Sequence, residues 1–120
     1  MTDYLITIPG DQAVWDARTE DENRAVGQRH HDFAERLVQR GHQVLGAAEL
    51  EPVKAGRVVR RTANGYAVTE GPYTESVEQV GGYYVVASDD LEDLLDVCGY
   101  LAEIEPVVEV RPTLGHQGPS

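Results

Sequence analysis

Two segments with the helical spacing of apolar residues, set between short strand-like segments, constrain the fold of this chain more than any other feature. The first covers about residues 20–40 and ends before Gly41. The second covers about residues 91–104 and ends before Pro106. Apolar residues that alternate before and after both segments predict strands. The resulting order, β-α-β, a hairpin and then β-α-β, predicts an α+β domain.

The strand predictions depend on alternation and on turn residues. Asn64-Gly65 predicts a two-residue hairpin, and Gly81 begins a run rich in aromatic and β-branched residues. The predicted strands cover residues 3–9, 43–49, 57–62, 66–69, 81–87 and 107–111. This order is ferredoxin-like with an additional β-hairpin. We expect one domain over residues 1–112 and a polar tail over residues 113–120.

Two helices can cover only one face of the predicted sheet. The other face would carry one of two alternating sets, either Tyr83 with Val85 or Tyr84 with Val86. A large exposed apolar face is uncommon on a soluble monomer. We therefore expect a two-fold homodimer, or a bound ligand, to cover it.

Net charge narrows the class of partner. The chain has 21 acidic and 10 basic residues, a formal net charge of -11, and such a charge repels nucleic-acid phosphates and anionic lipids. The basic cluster Arg57, Arg60 and Arg61 is small, so we expect no nucleic-acid partner. No apolar run approaches the roughly 18 residues of a membrane span. Residues 1–8 lack the pattern of a signal peptide, so we expect a cytoplasmic protein with no membrane partner.

Several common site motifs are missing from the sequence. The chain has one cysteine, Cys98, which excludes an intrachain disulfide and is expected to pack as a small apolar residue. The glycines do not form a Walker or Rossmann spacing, and there is no Gly-x-Ser-x-Gly motif. His30 and His31 are adjacent rather than four apart, so the helix does not present a two-histidine metal site. We expect neither a metal nor an organic cofactor.

His30 is the leading candidate for chemistry, because it lies on the apolar stripe of the first helix, which comprises Val26, His30, Phe33, Ala34 and Leu37. A histidine on this stripe is partly desolvated, which disfavours its protonated form. A neutral imidazole beside a cavity can act as a general base or as a hydrogen-bonding anchor. A histidine packed in the core with one polar partner would look the same in sequence. We expect His31, His42 and His116 to be surface residues.

The second candidate region is the loop of residues 70–79. It carries the carboxylates Glu70, Glu75 and Glu78 together with Tyr73. Gly81-Gly82 follows it and leaves room for a close approach of backbone or ligand. An ordinary acidic surface loop could have the same composition.

This loop also resembles a known family. Glu70-Gly-Pro-Tyr-Thr-Glu75 followed by Gly81-Gly-Tyr-Tyr84 is similar to the Asp-Gly-Pro-Phe branch of the YCII-related family. His30-x-x-Phe33-x-x-x-Leu37-x-x-x-Gly41 and Val108-Glu-Val-Arg-Pro112 resemble it as well, so that the similarity spans about residues 3–112. Three positions depart from the motif: Glu70 replaces aspartate, Tyr73 replaces phenylalanine and Val77 replaces lysine.

The resemblance implies a ferredoxin-like fold that pairs into a dimeric α+β barrel, with a cleft near His30. In the wider family a histidine and an aspartate are the suspected catalytic pair, which implies His30 and Glu70 here. Similar barrels act on small ring-derived, lactone or quinonoid substrates, and some relatives are associated with alternative sigma factors. We expect Tyr73, Glu75, Tyr83 and Tyr84 to line the ligand pocket.

Three hypotheses follow. The chain is a small enzyme that uses His30 for proton transfer, or a non-catalytic ligand-binding or regulatory dimer, or a purely structural dimer. The first two predict an open pocket beside His30. The third predicts a His30 ring packed shut.

Overall fold

The computed structural model describes residues 1–72 and 76–115 of the chain. In chain order the elements are β1 (Thr2–Asp11), α1 (Gln12–Asp16), α2 (Glu20–Gln39), β2 (Gln43–Glu49), β3 (Arg57–Thr62), β4 (Gly65–Glu70), β5 (Glu78–Ser88), α3 (Leu91–Ala102) and β6 (Glu109–Pro112). The predicted α+β class is confirmed, and the arrangement is consistent with a ferredoxin-like fold. The short helix α1 was not predicted, since none of its residues is buried to leave an apolar pattern.

Four strands form one antiparallel sheet in the order β2-β5-β1-β6. The long strands β1 and β5 are therefore central. The hairpin of β3 and β4 forms a separate two-stranded sheet. The additional hairpin that the sequence predicts is therefore not part of the main sheet.

The ends of α2 follow from its sequence. The Thr19 side chain accepts a hydrogen bond from the Glu22 backbone N–H, and the Glu22 carboxylate accepts one from the Thr19 backbone N–H, which is a complete capping box. Three acidic residues in the first turn suit the positive end of the helix dipole. After the helix, Gly41 adopts a φ of 87°, a conformation that favours glycine.

The core lies between one face of the sheet and the two long helices. Tyr4, Ile6, Tyr84 and Val86 from the sheet are buried against apolar residues of the helices, namely Phe33, Leu37, Leu94, Val97, Cys98 and Leu101. The Tyr84/Val86 set therefore faces the helices, and the alternate residues Tyr83 and Val85, which are partly exposed, face the opposite side. Burial raises the pKa of the Cys98 thiol to about 11, which fits its predicted role as an apolar core residue.

The prediction for His42 is wrong. This residue follows the end of α2, where the sequence indicated a surface position, yet it is buried between α2, β5 and α3. Its backbone N–H donates to the Leu37 carbonyl, 2.9 Å away, which turns the chain back under the helix end. His31 is exposed as predicted and pairs with Glu35. His116 lies outside the described residues.

None of the helices in the described ranges is long and apolar enough to cross a membrane.

Candidate functional site

A cleft of about 810 Å³ opens at one end of the sheet, where the start of α2 faces the ends of β1 and β2 and the start of β5. The apolar and aromatic residues that line it include Trp15, Val26 and Tyr83, and the polar ones include Arg18, His30 and Tyr84. A cleft of this size lies within the range of small-molecule pockets, roughly 300–1,000 Å³. The prediction of an open pocket beside His30 agrees with this geometry.

The Trp15 wall depends on two glycines. The indole lies across Gly10 of β1 and Gly81 of β5, where an added Cβ would lie 2.5 Å and 2.8 Å from ring carbons. Real Cβ contacts are not that short, so a side chain at either position would displace the ring. At Gly82 an added Cβ would lie 3.1 Å from the Ala48 carbonyl oxygen of β2. The sequence predicted a close approach at Gly81-Gly82. The groups that come close are the Trp15 indole at Gly81 and the β2 backbone at Gly82.

His30 is the centre of a chain of polar contacts at the inner end of the cleft. Its Nδ1 lies 2.7 Å from the Tyr84 hydroxyl oxygen. Its Nε2 lies 3.6 Å from Oε1 of Glu105. The same Glu105 oxygen lies 3.3 Å from Nη2 of Arg18. The order of groups is therefore Tyr84, His30, Glu105 and Arg18.

Three elements position these groups. Tyr84 projects from central strand β5 and packs edge-on against Phe33, with ring centroids 5.0 Å apart. Glu105 follows the end of α3, where its backbone N–H donates to the Leu101 carbonyl. The Glu105 residue is only 2% exposed, and a buried carboxylate needs a cation or strong donors to remain ionised. Arg18, just before α2, supplies that cation.

The protonation pattern of the site follows from burial and charge. Burial, together with the nearby charge of Glu105, raises the pKa of Tyr84 to about 12. The phenol is therefore protonated at neutral pH, and its O–H can donate to Nδ1 of His30. In that tautomer the imidazole N–H is on Nε2, on the side of Glu105. Since 26% of the His30 side-chain surface is exposed, this base lies at the cleft rather than in the closed core.

The structure brings some predicted site residues together and leaves another apart. His30, Tyr83 and Tyr84 all line the cleft. Glu70 does not: it is exposed at the end of β4, opposite Arg57, on the hairpin that leaves the main sheet. The carboxylate beside His30 is Glu105 instead, so the expected His30–Glu70 pair is not formed within the chain.

A catalytic role for Glu70 therefore stays a prediction. Tyr73 and Glu75, which were expected to line the pocket, lie outside the described residues.

Sequence reasoning missed Trp15, Arg18 and Glu105 as site residues. Trp15 is the one tryptophan of the chain and lies in a connection, which could have indicated a ligand contact. Arg18 and Glu105 show no such signal. They meet only because the start of α2 and the end of α3 lie side by side.

Within residues 1–72 and 76–115, no group of three or more histidine, cysteine or acidic side chains has an arrangement that could hold a metal ion.

Two comparisons relate the chain to known proteins. The model of the YCII-related domain matches residues 2–111. An uncharacterized protein of Rhizobium meliloti (strain 1021) is 29% identical over 113 residues, which cover 91% of this chain and 90% of that protein.

Proposed function

The chain belongs to the YCII-related domain family, and we propose that its cleft binds a small polar or ring-derived molecule and transfers a proton to or from it. One observation carries this proposal: a histidine held between a tyrosine hydroxyl and a buried carboxylate lines the inner end of an open cleft. Such a set can accept a proton, spread the resulting charge and return the proton later. The reaction class is isomerisation, elimination or hydrolysis.

Both ring nitrogens of His30 already have partners, so the substrate reaches the base through Tyr84. As the phenol oxygen takes a proton from the substrate, the phenol proton passes to Nδ1 of His30, 2.7 Å away. The products are a deprotonated substrate, an intact phenol and an imidazolium. Since the pKa of Tyr84 is about 12, a free phenolate is unfavourable at neutral pH and the two transfers must be coupled.

Glu105 and Arg18 support this transfer without contacting the substrate. The positive charge that forms on His30 lies 3.6 Å from the Glu105 carboxylate, and a carboxylate at this distance stabilises an imidazolium. Arg18 holds the Glu105 carboxylate in place through their 3.3 Å contact. We therefore assign both as positioning residues.

The walls of the cleft support a small molecule with a flat apolar part. Trp15 offers aromatic surface, and aromatic groups stack on flat rings. Gln12 and Asn23 add polar side chains for substituents. The residues at hand can perform the proposed proton transfer without an added cofactor.

The direct test is proton exchange. The wild type would be incubated in D₂O with small carbon acids of three kinds, lactones, hydroxyquinones and β-dicarbonyl compounds, and deuterium incorporation would be followed by NMR. His30→Ala should slow incorporation by about 10²–10⁴-fold, the usual worth of a positioned acid–base group. His31→Ala is the matched control, because His31 is exposed on the same helix, and it should retain the wild-type rate.

Ligand binding is measured separately from exchange. Trp15 is the one tryptophan of the chain, so its fluorescence reports on the cleft wall. A compound that changes this fluorescence, yet shows no exchange above the His30→Ala level, would favour the non-catalytic binding module. If no compound binds and none exchanges, the proposed cleft function is contradicted.

A further inference from the structure

Gly27 lies in the interior of α2, well away from either end of the helix. Glycine lowers the stability of a helix more than any other residue except proline, because its backbone loses the most freedom on folding. Interior helix positions therefore usually carry a side chain. What glycine provides at this position follows from its surroundings.

Neither the backbone nor the packing requires glycine at position 27. Gly41, Gly65 and Gly115 have positive φ angles, whereas Gly27 does not, so alanine or leucine fits its helical backbone. Apart from the neighbouring backbone of its own helix, an added Cβ at Gly27 would meet no atom of the described residues within 4 Å. The glycine thus leaves an open space beside the helix that a side chain would fill.

That space is part of the cleft. Gly27 lines the cleft together with Asn23 and His30 of the same helix. These three positions are four and three residues apart, so they share one face of α2. Bare backbone therefore lies one turn before His30, whose Nδ1 contacts the Tyr84 hydroxyl. A side chain in place of Gly27 would reduce the volume next to the reacting groups.

Two other properties of the cleft describe the molecule that would use this volume. The Trp15 indole, itself a pair of fused rings, offers a flat surface of matching shape. The carboxylates of Asp16, Glu49 and Glu51 also line the cleft, whereas Arg18 already has an ion-pair partner. Like charges that face each other are unfavourable, so the cleft disfavours an anionic ligand.

We propose that Gly27 selects the substrate by size: an uncharged molecule with fused rings lies against its bare backbone, with the reacting carbon next to the Tyr84 hydroxyl. The proposal rests on the function proposed for the cleft and adds the residue that sets the width of the accepted ring. A larger side chain at this position should restrict the cleft to single rings.

Gly99 is the matched control. It lies in the interior of α3, is exposed as Gly27 is, and also has nothing within 4 Å of an added Cβ. It does not line the cleft. Substitutions at the two glycines should therefore have similar effects on helix stability and different effects on binding.

The test uses three uncharged lactones of increasing width: butenolide with one ring, coumaranone with two fused rings and naphthofuranone with three. Isothermal titration calorimetry gives the Kd of each lactone. Gly27→Leu should raise the Kd of the two wider lactones at least about tenfold, as added methyl and methylene groups do in an apolar pocket, and that of butenolide less than about twofold. Gly27→Ala should have an intermediate effect. Gly99→Ala and Gly99→Leu should leave all three values unchanged.

Urea denaturation separates a narrowed cleft from a damaged fold. Replacing glycine by alanine at an unstrained helical position stabilises a protein, so Gly27→Ala and Gly99→Ala should both raise the urea midpoint. Weaker binding by the more stable Gly27→Ala protein is then due to the lost volume. Nuclear Overhauser effects between the Gly27 Hα protons and coumaranone bound to the wild type should locate the ring.

Three results would overturn the size selection: Gly27→Leu binds the wider lactones as tightly as the wild type does, all three lactones lose affinity equally, or none of them binds the wild type. Binding without deuterium exchange, with the dependence on width intact, would contradict only the proton transfer. Exchange of all three lactones by Gly27→Leu at the wild-type rates would contradict only the size selection.

Discussion

Two histidine networks in this molecule use nearly the same groups in different surroundings. At the cleft, His30 lies between the Tyr84 hydroxyl and the Glu105 carboxylate, which is paired with Arg18. At the start of β2, Nδ1 of His42 lies 2.8 Å from the Ser88 hydroxyl, and its Nε2 lies 2.7 Å from Asp93, which is paired with Arg40. Each histidine thus has a hydroxyl on Nδ1, a carboxylate at Nε2 and an arginine beyond.

The difference lies in access. The His42 side chain is 3% exposed, against 26% for His30, and His42 does not line the cleft. Ser88 also accepts a hydrogen bond from the Asp90 backbone N–H, and Asp90 caps α3. His42 therefore fastens the start of β2 to the end of β5 and the start of α3.

The comparison teaches that a serine, a histidine and an aspartate in contact do not by themselves make a catalytic site. Ser88 is 2% exposed, so no substrate can reach its hydroxyl. The cleft network is a better candidate because one of its groups lies in a space that a small molecule can occupy.

Removing one hydroxyl from each network should give the largest difference in activity between the two networks. Tyr84→Phe keeps the ring but removes the proton relay to His30, and we expect exchange activity to fall by about 10²-fold or more. Ser88→Ala removes the matching hydroxyl from the closed network and should leave activity unchanged. The measurement is the rate of deuterium incorporation for both variants. Equal rates in Tyr84→Phe and the wild type would contradict the relay.

The cleft network should matter more for activity, and the closed network should matter more for stability. Replacing each histidine in turn tests the second half of this expectation. His42→Ala removes one hydrogen-bond partner from the buried Ser88 hydroxyl and one from the Asp93 carboxylate, and we expect it to lower the free energy of unfolding by about 1–3 kcal/mol. His30→Ala should cost less than this, because its site is open to water. Urea denaturation followed by circular dichroism gives both values. A larger loss for His30→Ala would show that the cleft network is the structural one.

Acidification should weaken the closed network. The hydrogen bond from His42, and then the contact with Arg40, hold the pKa of Asp93 below its ordinary value of 3.8. A lowered folded-state pKa stabilises the fold above the ordinary value, and this stabilisation is lost as the pH falls through the folded-state pKa. The unfolding free energy should therefore decrease below about pH 4.

Asp93→Asn is the control for that pH dependence. It should flatten part of the acid limb of the stability curve, measured by urea denaturation at a series of pH values. An unchanged acid limb in Asp93→Asn would mean that other carboxyl groups cause the loss.

The smallest expected effect concerns the cleft wall. Gly81→Ala places a Cβ against the Trp15 ring, so the indole must move, and ligand affinity should fall severalfold with a shift in Trp15 emission. Gly99→Ala is the matched change, because an added Cβ there meets nothing within 4 Å. It should stabilise α3 by about 0.5–1 kcal/mol and leave emission unchanged. Identical emission spectra for both variants would contradict the packing of the Trp15 ring against Gly81.

Much of the fold was predictable because it depends on local periodicity. The spacing of Phe33, Leu37, Leu94 and Leu101 gave both long helices, and Asn64-Gly65 gave the hairpin turn. The short helix α1 was not predictable, since its five residues are too few to show a period and none is buried. The start of β5 lies three residues before the predicted one, at Glu78, because Glu78 and Gln79 pair with β1 although they are polar.

The site was only partly predictable. His30 was found because a polar residue on an apolar stripe is a local signal. Glu105 was not found, because it contacts His30 only where the segment after α3 lies beside the middle of α2. His42 was misplaced for the same reason: its burial comes from Ser88 and Asp93, which are distant in sequence.

The large Trp15 side chain of α1 fits only because Gly10 of β1 and Gly81 of β5 have no side chains. The indole occupies the volume that two side chains would otherwise take. Natural variation at these positions should therefore be correlated: relatives with a small residue in place of Trp15 are free to carry side chains in place of the two glycines, and they would have a wider cleft. The volume held by one ring thus offers evolution a simple way to change the size of the cleft within the family.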